Sequence, residues 1–269
     1  MDGSYNWGLV TLSYLVSVLG ALTALQLAIG IPLAQSTTQK LGAVFAAALA
    51  MGGGAIWSMH FIAMLAYEMP MTVLYDTGLT LLSVIISVLS CAIGLALAGI
   101  GIFSGTKVAL AGVFMGLGVA GMHYTGMAAM LMHAEVSYDR NIVLLSVVIA
   151  IIASTAALWL AFQMRGLWQM LGSAIVMGVA VCGMHYTGMV AARYHPLPEA
   201  PAPGPLGAIG GDNLGLAIFV VSAVLLGVVM TLSYSRHQRR QAACAIESAG
   251  GVACIDHDLN RAGGHTRCL

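Results

Sequence analysis

The chain has 269 residues, 59% of them hydrophobic and 7% charged, too little polar side chain to cover a water-soluble fold of that size. Ten basic and ten acidic residues cancel, which excludes nucleic acid as a partner held through its phosphates. Five cysteines, two in apolar stretches and three near the C-terminal end, do not make a disulfide framework.

Seven apolar stretches are long enough to cross a hydrocarbon layer of about 30 Å, which takes about 20 helical residues. They fall at 7–31, 41–66, 78–102, 107–132, 141–163, 169–193 and 214–234. The first is too long for a signal-peptide core and has no basic residue ahead of it, so it reads as a retained span. Glycines such as Gly52, Gly53 and Gly54 do not break the second, because in lipid small residues let helices approach closely. The expected fold class is all-α, a polytopic membrane bundle of seven helices. Residues 1–235 form the membrane domain and 236–269 a short tail, and the proline-rich stretch 196–205 reads as an extended outer connector.

Loop charge sets the expected orientation. Lys40, Lys107, Arg165, Arg236, Arg239, Arg240, Arg261 and Arg267 fall on one side, against Arg140 and Arg193 on the other. The positive-inside rule then places the amino terminus outside and the tail in the cytoplasm of a plasma-membrane protein, with Arg236 to Arg240 anchoring the seventh span. Asp2, Glu68, Asp76, Glu135, Asp139, Glu199 and Asp212 fall on the outer side.

With no Lys, Arg, Asp or Glu deep in any span, His60, His123 and His185 are the only histidines at membrane depth. They stand 63 and 62 residues apart, each in an even-numbered span. That spacing predicts a tandem two-helix repeat (spans 2 and 3, 4 and 5, 6 and 7) after an orphan first span. The three histidines then lie at one depth, roughly 9 to 14 Å below the outer ends of their helices. Around each the same pattern recurs: Met59, His60 and Met64; Met122, His123 and Met127; Met184, His185 and Met189. His and Met at i and i+4 share a helix face, so each helix offers an imidazole beside a thioether. Thioether sulfur selects Cu(I), whereas zinc takes thiolate, imidazole or carboxylate. All nine residues are therefore candidate copper ligands, enough for two ions or for one ion with spare methionines lining its path.

The motif Met122-His123-Tyr124-Thr125, repeated as Met184-His185-Tyr186-Thr187, resembles the MHYT domain family. The first copy departs from it, with Phe61 and Ile62 in place of Tyr and Thr. The resemblance implies a seven-span membrane sensor domain, not an enzyme, that binds copper through Met and His near the outer face. It also implies a diatomic gas ligand (O2, CO or NO) and a cytoplasmic signalling partner, often a cyclic-di-GMP enzyme or histidine kinase. The stretch 235–269 is too short for such an output, although Ala245 to Asn260 resembles the opening of a PAS-like module.

Plainer readings stand beside these. Methionines in apolar helices are ordinarily gap fillers, the expectation for Met51, Met115, Met164, Met170, Met177 and Met230. Met69, Met71, Met130 and Met132, near the outer ends of their spans, read as scattered surface methionines or else line a copper entry path, and His133 and His195 as ordinary loop histidines that would otherwise receive the metal. Tyr124 and Tyr186 are either interface anchors or hydrogen-bond to the histidine face, and Thr125 and Thr187 bond back one turn. Cys254, His257, His265 and Cys268 have ligand spacing without a fold around them. A copper carrier is the alternative function, though no Met or His ladder is evident on the inner side. Haem is a third reading. Retinal is excluded because the seventh stretch has no lysine.

Overall fold

A computed structural model describes residues 3–163 and 166–224, with 227, 231, 235 and 238. Among these, six helices are long and apolar enough to cross a membrane: span 1 (Trp7–Leu33), span 2 (Thr37–Leu65), span 3 (Thr77–Gly99), span 4 (Gly105–Ala128), span 5 (Arg140–Gln163) and span 6 (Trp168–Ala191). The chain is a multi-pass membrane protein. The seventh expected stretch begins as a shorter apolar helix, Gly211–Val224. Most of its continuation to Tyr234 lies outside the described residues, as do Met164, Met230, Arg236, Arg239, Arg240, Ala245 to Asn260 and the Cys254, His257, His265 and Cys268 pairs.

Helix starts follow from their caps. Ser36 and Gln39 form a reciprocal capping box that begins span 2 four residues ahead of the apolar run. Asn6, Asp76 and Asp139 cap spans 1, 3 and 5, accepting from Gly8, Leu79 and Asn141 backbone N–H at 3.1, 2.8 and 3.0 Å. Span 4 stops at Ala128, short of the expected 132, because Met130 and Leu131 turn into a strand.

The six spans close into a ring. Each packs on its sequence neighbours, span 6 packs on span 1, and the three even spans meet at the centre. Span 1 thus packs beside span 6, and most of the seventh stretch beyond Val224 lies outside the described residues. The helix Gly211–Val224 leans on span 2, where the Ser222 hydroxyl donates to Ser58 Oγ at 3.2 Å. Glycine sets how close the ring can draw. A Cβ at Gly20 would lie 2.5 Å from the Ala55 nitrogen, and one at Gly52 would lie 2.8 Å from the Ser87 carbonyl oxygen. At this contact span 2 leaves α geometry, with a π-helical stretch over Leu49–Trp57. The Ser58 N–H and hydroxyl both donate to the carbonyl of Gly53, five residues back, the hydroxyl at 2.9 Å.

The loops at the end where the even spans finish form a cap of short antiparallel strands. β1 (Ser4–Tyr5) pairs with β2 (Tyr67–Glu68), and β3 (Leu74–Asp76) lies between β4 (Met130–Leu131) and β7 (Ala208–Gly210). β5 (Ala134–Tyr138) pairs with β6 (Ala192–Pro196), Tyr138 opposite Ala192. The proline-rich connector is not free at its far end. Gly204 N–H donates to Asp76 Oδ2 at 2.6 Å, and Thr77 N–H to the Gly207 carbonyl at 3.0 Å.

The backbone N–H groups of Leu79 and Gly204 hold the Asp76 carboxyl below the usual carboxylate range. A carboxylate so lowered favours the closed cap above its unfolded pKa, and that contribution is lost as pH falls through the folded value. Asp76→Ala should therefore make amide exchange at Gly204 and Gly207 severalfold faster at neutral pH while leaving the β5 and β6 ladder unchanged. The unaltered protein should approach the variant's rate on acidification. Equal rates at neutral pH would show that Asp76 does not pin the loop.

Candidate functional site

His60, His123 and His185 enter the bundle centre from spans 2, 4 and 6 and are at most 1% exposed. Their Nδ1 atoms converge: His60 Nδ1 stands 2.9 Å from His185 Nδ1 and 3.2 Å from His123 Nδ1. One ring nitrogen from each lies within 4.8 Å of the others. The rings meet edge to face, with centroids 4.9, 4.9 and 5.1 Å apart. A neutral imidazole carries one N–H, so three nitrogens facing one another cannot all be satisfied among themselves. Their far nitrogens do not relieve this, since all three Nε2 atoms are buried without a hydrogen-bond partner among the described residues.

Two of those far nitrogens are seated on glycine. A Cβ at Gly126 would collide with His60 Nε2 and lie 2.9 Å from its Cδ2; a Cβ at Gly188 would do the same to His123. Each glycine stands three residues after a motif histidine, one turn along the same face. Every such ring thus rests on the helix that carries the next one. Sequence reasoning passed over Gly126 and Gly188, although both lie inside the identical stretches 121–127 and 183–189.

A second repeated feature was also missed. Each motif histidine is followed by an aromatic ring, which meets a tyrosine two residues ahead of an odd-numbered span. Phe61 meets Tyr75, Tyr124 meets Tyr138 and Tyr186 meets Tyr5, with centroids 5.9, 5.4 and 5.8 Å apart. Those tyrosines begin a recurring pattern: Tyr5, Asn6 and Ser13; Tyr75, Asp76 and Ser83; Tyr138, Asp139 and Ser146. The serines face the motif helices. Tyr124 hydroxyl bonds Ser146 Oγ at 2.7 Å, whereas the Tyr186 hydroxyl is buried with no hydrogen-bond partner among the described residues, and Ser13 donates to the Val10 carbonyl at 2.7 Å. In the first copy Phe61 has no hydroxyl, and the Trp57 indole N–H donates to Ser83 Oγ instead, at 3.0 Å. Burial keeps the cap tyrosines protonated, with Tyr5 and Tyr138 each pushed up to about 12.

Met59, Met64, Met122, Met127, Met184 and Met189 are all buried on the helices that carry the histidines. The expectation for Met130 and Met132 is corrected, because they are 8% and 1% exposed and belong to the packed base of the cap rather than its surface. His133 is exposed, and His195 Nε2 bonds Ser137 Oγ at 2.8 Å. Tyr124 is tied to Ser146 rather than to its histidine's nitrogens, and Thr187 donates to the Gly183 carbonyl at 2.7 Å, as expected.

Among known proteins, the chain is 40% identical over 267 residues to the bifunctional diguanylate cyclase/cyclic di-GMP phosphodiesterase MucR of Pseudomonas aeruginosa, covering 95% of this chain and 37% of that protein. It is 32% identical over 250 residues to the cyclic di-GMP phosphodiesterase NbdA of the same organism, covering 88% and 31%. It is 31% identical over 199 residues to the signaling protein YkoW of Bacillus subtilis, covering 71% and 24%. The chain thus spans between about a quarter and just over a third of the length of these relatives. No solved structure matches it. Residues 53–111 and 116–174 each match MHYT, described as a bacterial signalling protein N-terminal repeat. With its two signature histidines meeting a third at the centre of a helical membrane bundle, the chain belongs to the MHYT family of signalling proteins.

Proposed function

We propose that this chain is the membrane sensor part of a signalling system, not an enzyme, and that His60, His123 and His185 hold a copper ion through Nδ1. The observation that carries this reading is the convergence of three buried, neutral donors on one point. Two nitrogens bonded to one ion at about 2.1 Å stand no more than about 4.2 Å apart, and the contacts of 2.9 and 3.2 Å fall inside that limit. An ion there would satisfy three lone pairs that the rings cannot satisfy among themselves. The thioethers of Met59, Met64, Met122, Met127, Met184 and Met189 on the same helices favour Cu(I) over Zn(II). Bound Cu(I) would supply affinity for a small diatomic ligand, O2, CO or NO.

The protein's own residues would position and insulate that ion. Gly126 and Gly188 let the Nε2 ends of the His60 and His123 rings come up against the next helix, and the aromatic neighbours wall the cluster from the cap. Because the rings wedge between helices, a ligand that shifts one ring also shifts the spacing of two spans, which can bias a signalling partner. The names of the relatives favour a cytoplasmic partner of the cyclic-di-GMP class. The distribution of basic residues supports an outer amino terminus, which puts the histidines in the outer half of a plasma membrane.

Purified protein should bind Cu(I) more tightly than Zn(II). His123→Ala should lower copper occupancy more than Met132→Ala. Gly126→Ala removes no donor yet drives a methyl into the His60 ring, so it should weaken copper binding by about tenfold or more. Gly42→Ala, where nothing lies within 4 Å, should not change it. Carbon monoxide should give an infrared band that requires copper. Full occupancy in a His60, His123 and His185 triple alanine variant would overturn the assignment.

Orientation is tested separately. A membrane-impermeant thiol reagent should label Ser4→Cys in intact cells. Labelling of a tail cysteine in its place would turn the histidines toward the cytoplasm.

A further inference from the structure

Inward of the histidines the bundle encloses an apolar cavity of about 20 Å³, enough for one water-sized occupant. Four of its lining residues are methionines: Met51, Met115, Met177 and Met184. All are buried, at 4%, 2%, 4% and 1% exposure. The first three are regularly placed as well as buried. One comes from each even span, and Met115 and Met177 each precede their histidine by eight residues. Met51 precedes His60 by nine and lies within the π-helical stretch Leu49–Trp57. Its wider turn takes up the extra residue, so Met51 faces the same cavity as its counterparts. Eight residues of helix set this level about 12 Å from the histidines. Met184, adjoining His185 in sequence, lines the cavity from above.

We infer that these methionines form a second site, for a soft monovalent cation held by thioethers alone. The lining contains no carboxylate, imidazole or thiolate, and Ser154 is its one hydroxyl. Neutral sulfur donors select Cu(I) or Ag(I), and a shell that brings no compensating charge favours a charge of one over two. Methionine has three rotatable bonds with which to aim its sulfur. The Met115 Sδ rests against span 3, where a Cβ at Gly94 would lie 3.1 Å from it, so it would turn into the cavity to bind. This inner level is the ladder that sequence reasoning did not find. It stands whether or not the histidines bind copper.

Silver(I), a redox-inert soft cation, is the probe. The full chain in detergent should retain two silver ions after desalting, measured by mass spectrometry against protein concentration. The Met51→Leu, Met115→Leu and Met177→Leu triple variant should retain one, because leucine preserves core volume while removing the sulfur. His123→Ala with His185→Ala should retain one in an all-sulfur shell by X-ray absorption. Ala153→Leu, which fills the cavity from span 5 without removing a donor, should also lose one ion and covers the case in which the methionine variant does not fold. Unchanged silver in the folded methionine variant, or in Ala153→Leu, would overturn the inference. Loss of all silver in the histidine variant would do so too. Silver lost only in the methionine variants would instead refute the histidine site and leave this one standing.

Discussion

Three imidazoles pressed together in an apolar bundle, with no carboxylate grouped with them among the described residues, are the constraint on which the rest of this structure depends. Burying polar nitrogen without partners costs roughly 1–3 kcal/mol per group, and six ring nitrogens are committed here with only two contacts among them. A fold does not collect such a cost at its centre through packing preference alone, since leucine would fill the same volume. The chain must therefore force the rings together by other means, and it does so through close helix contact. Glycine at Gly20, Gly52, Gly126 and Gly188 removes the side chains that would hold the spans apart. The capped entrances of spans 1, 3 and 5 fix where each helix starts relative to the cap.

The departure of the first motif copy then has a physical account. What the repeat needs from the residue after histidine is a ring against the cap tyrosine and a donor for the serine of the neighbouring odd span. Tyr124 supplies both. Phe61 supplies the ring, and Trp57, one turn earlier, supplies the donor. A change that looks like decay in the motif is thus compensated within the same helix. Span 1 likewise packs on span 6, and Tyr5 just ahead of it meets Tyr186 as Tyr138 just ahead of span 5 meets Tyr124.

Much of this was legible in the sequence, for reasons tied to particular residues. Hydropathy marks the spans because lipid admits few alternatives to a continuous apolar helix. The histidines stand out because titratable groups at that depth are rare. The pattern Tyr5, Asn6 and Ser13 was readable too, but its repeats are 70 and 63 residues apart and straddle loops of unequal length, so it hides behind the stronger histidine period. The ring closure of span 6 on span 1 was not legible, since a linear repeat says nothing about which ends meet. Nor was the π-helical stretch, whose only trace is Met51 standing one residue out of step with Met115 and Met177. The burial of Met130 and Met132 depends on strand pairing across three loops, which no local pattern encodes.

Seating one ring on the glycine of the next helix also constrains how any event at the cluster can spread. His60 rests on span 4 through Gly126, and His123 rests on span 6 through Gly188. A ring that tilts must therefore push the neighbouring backbone, because no side chain lies between them to absorb the motion. Displacement then passes around the three central helices before it passes along any one of them. Close-packed interfaces of this kind respond by shifting between arrangements rather than by deforming smoothly. A substitution that restores side-chain slack at the glycine positions would force the ring away instead of cushioning it. Position of the rings and spacing of the even spans are thus one variable, and anything that moves the histidines moves the helices that leave the membrane on the far side.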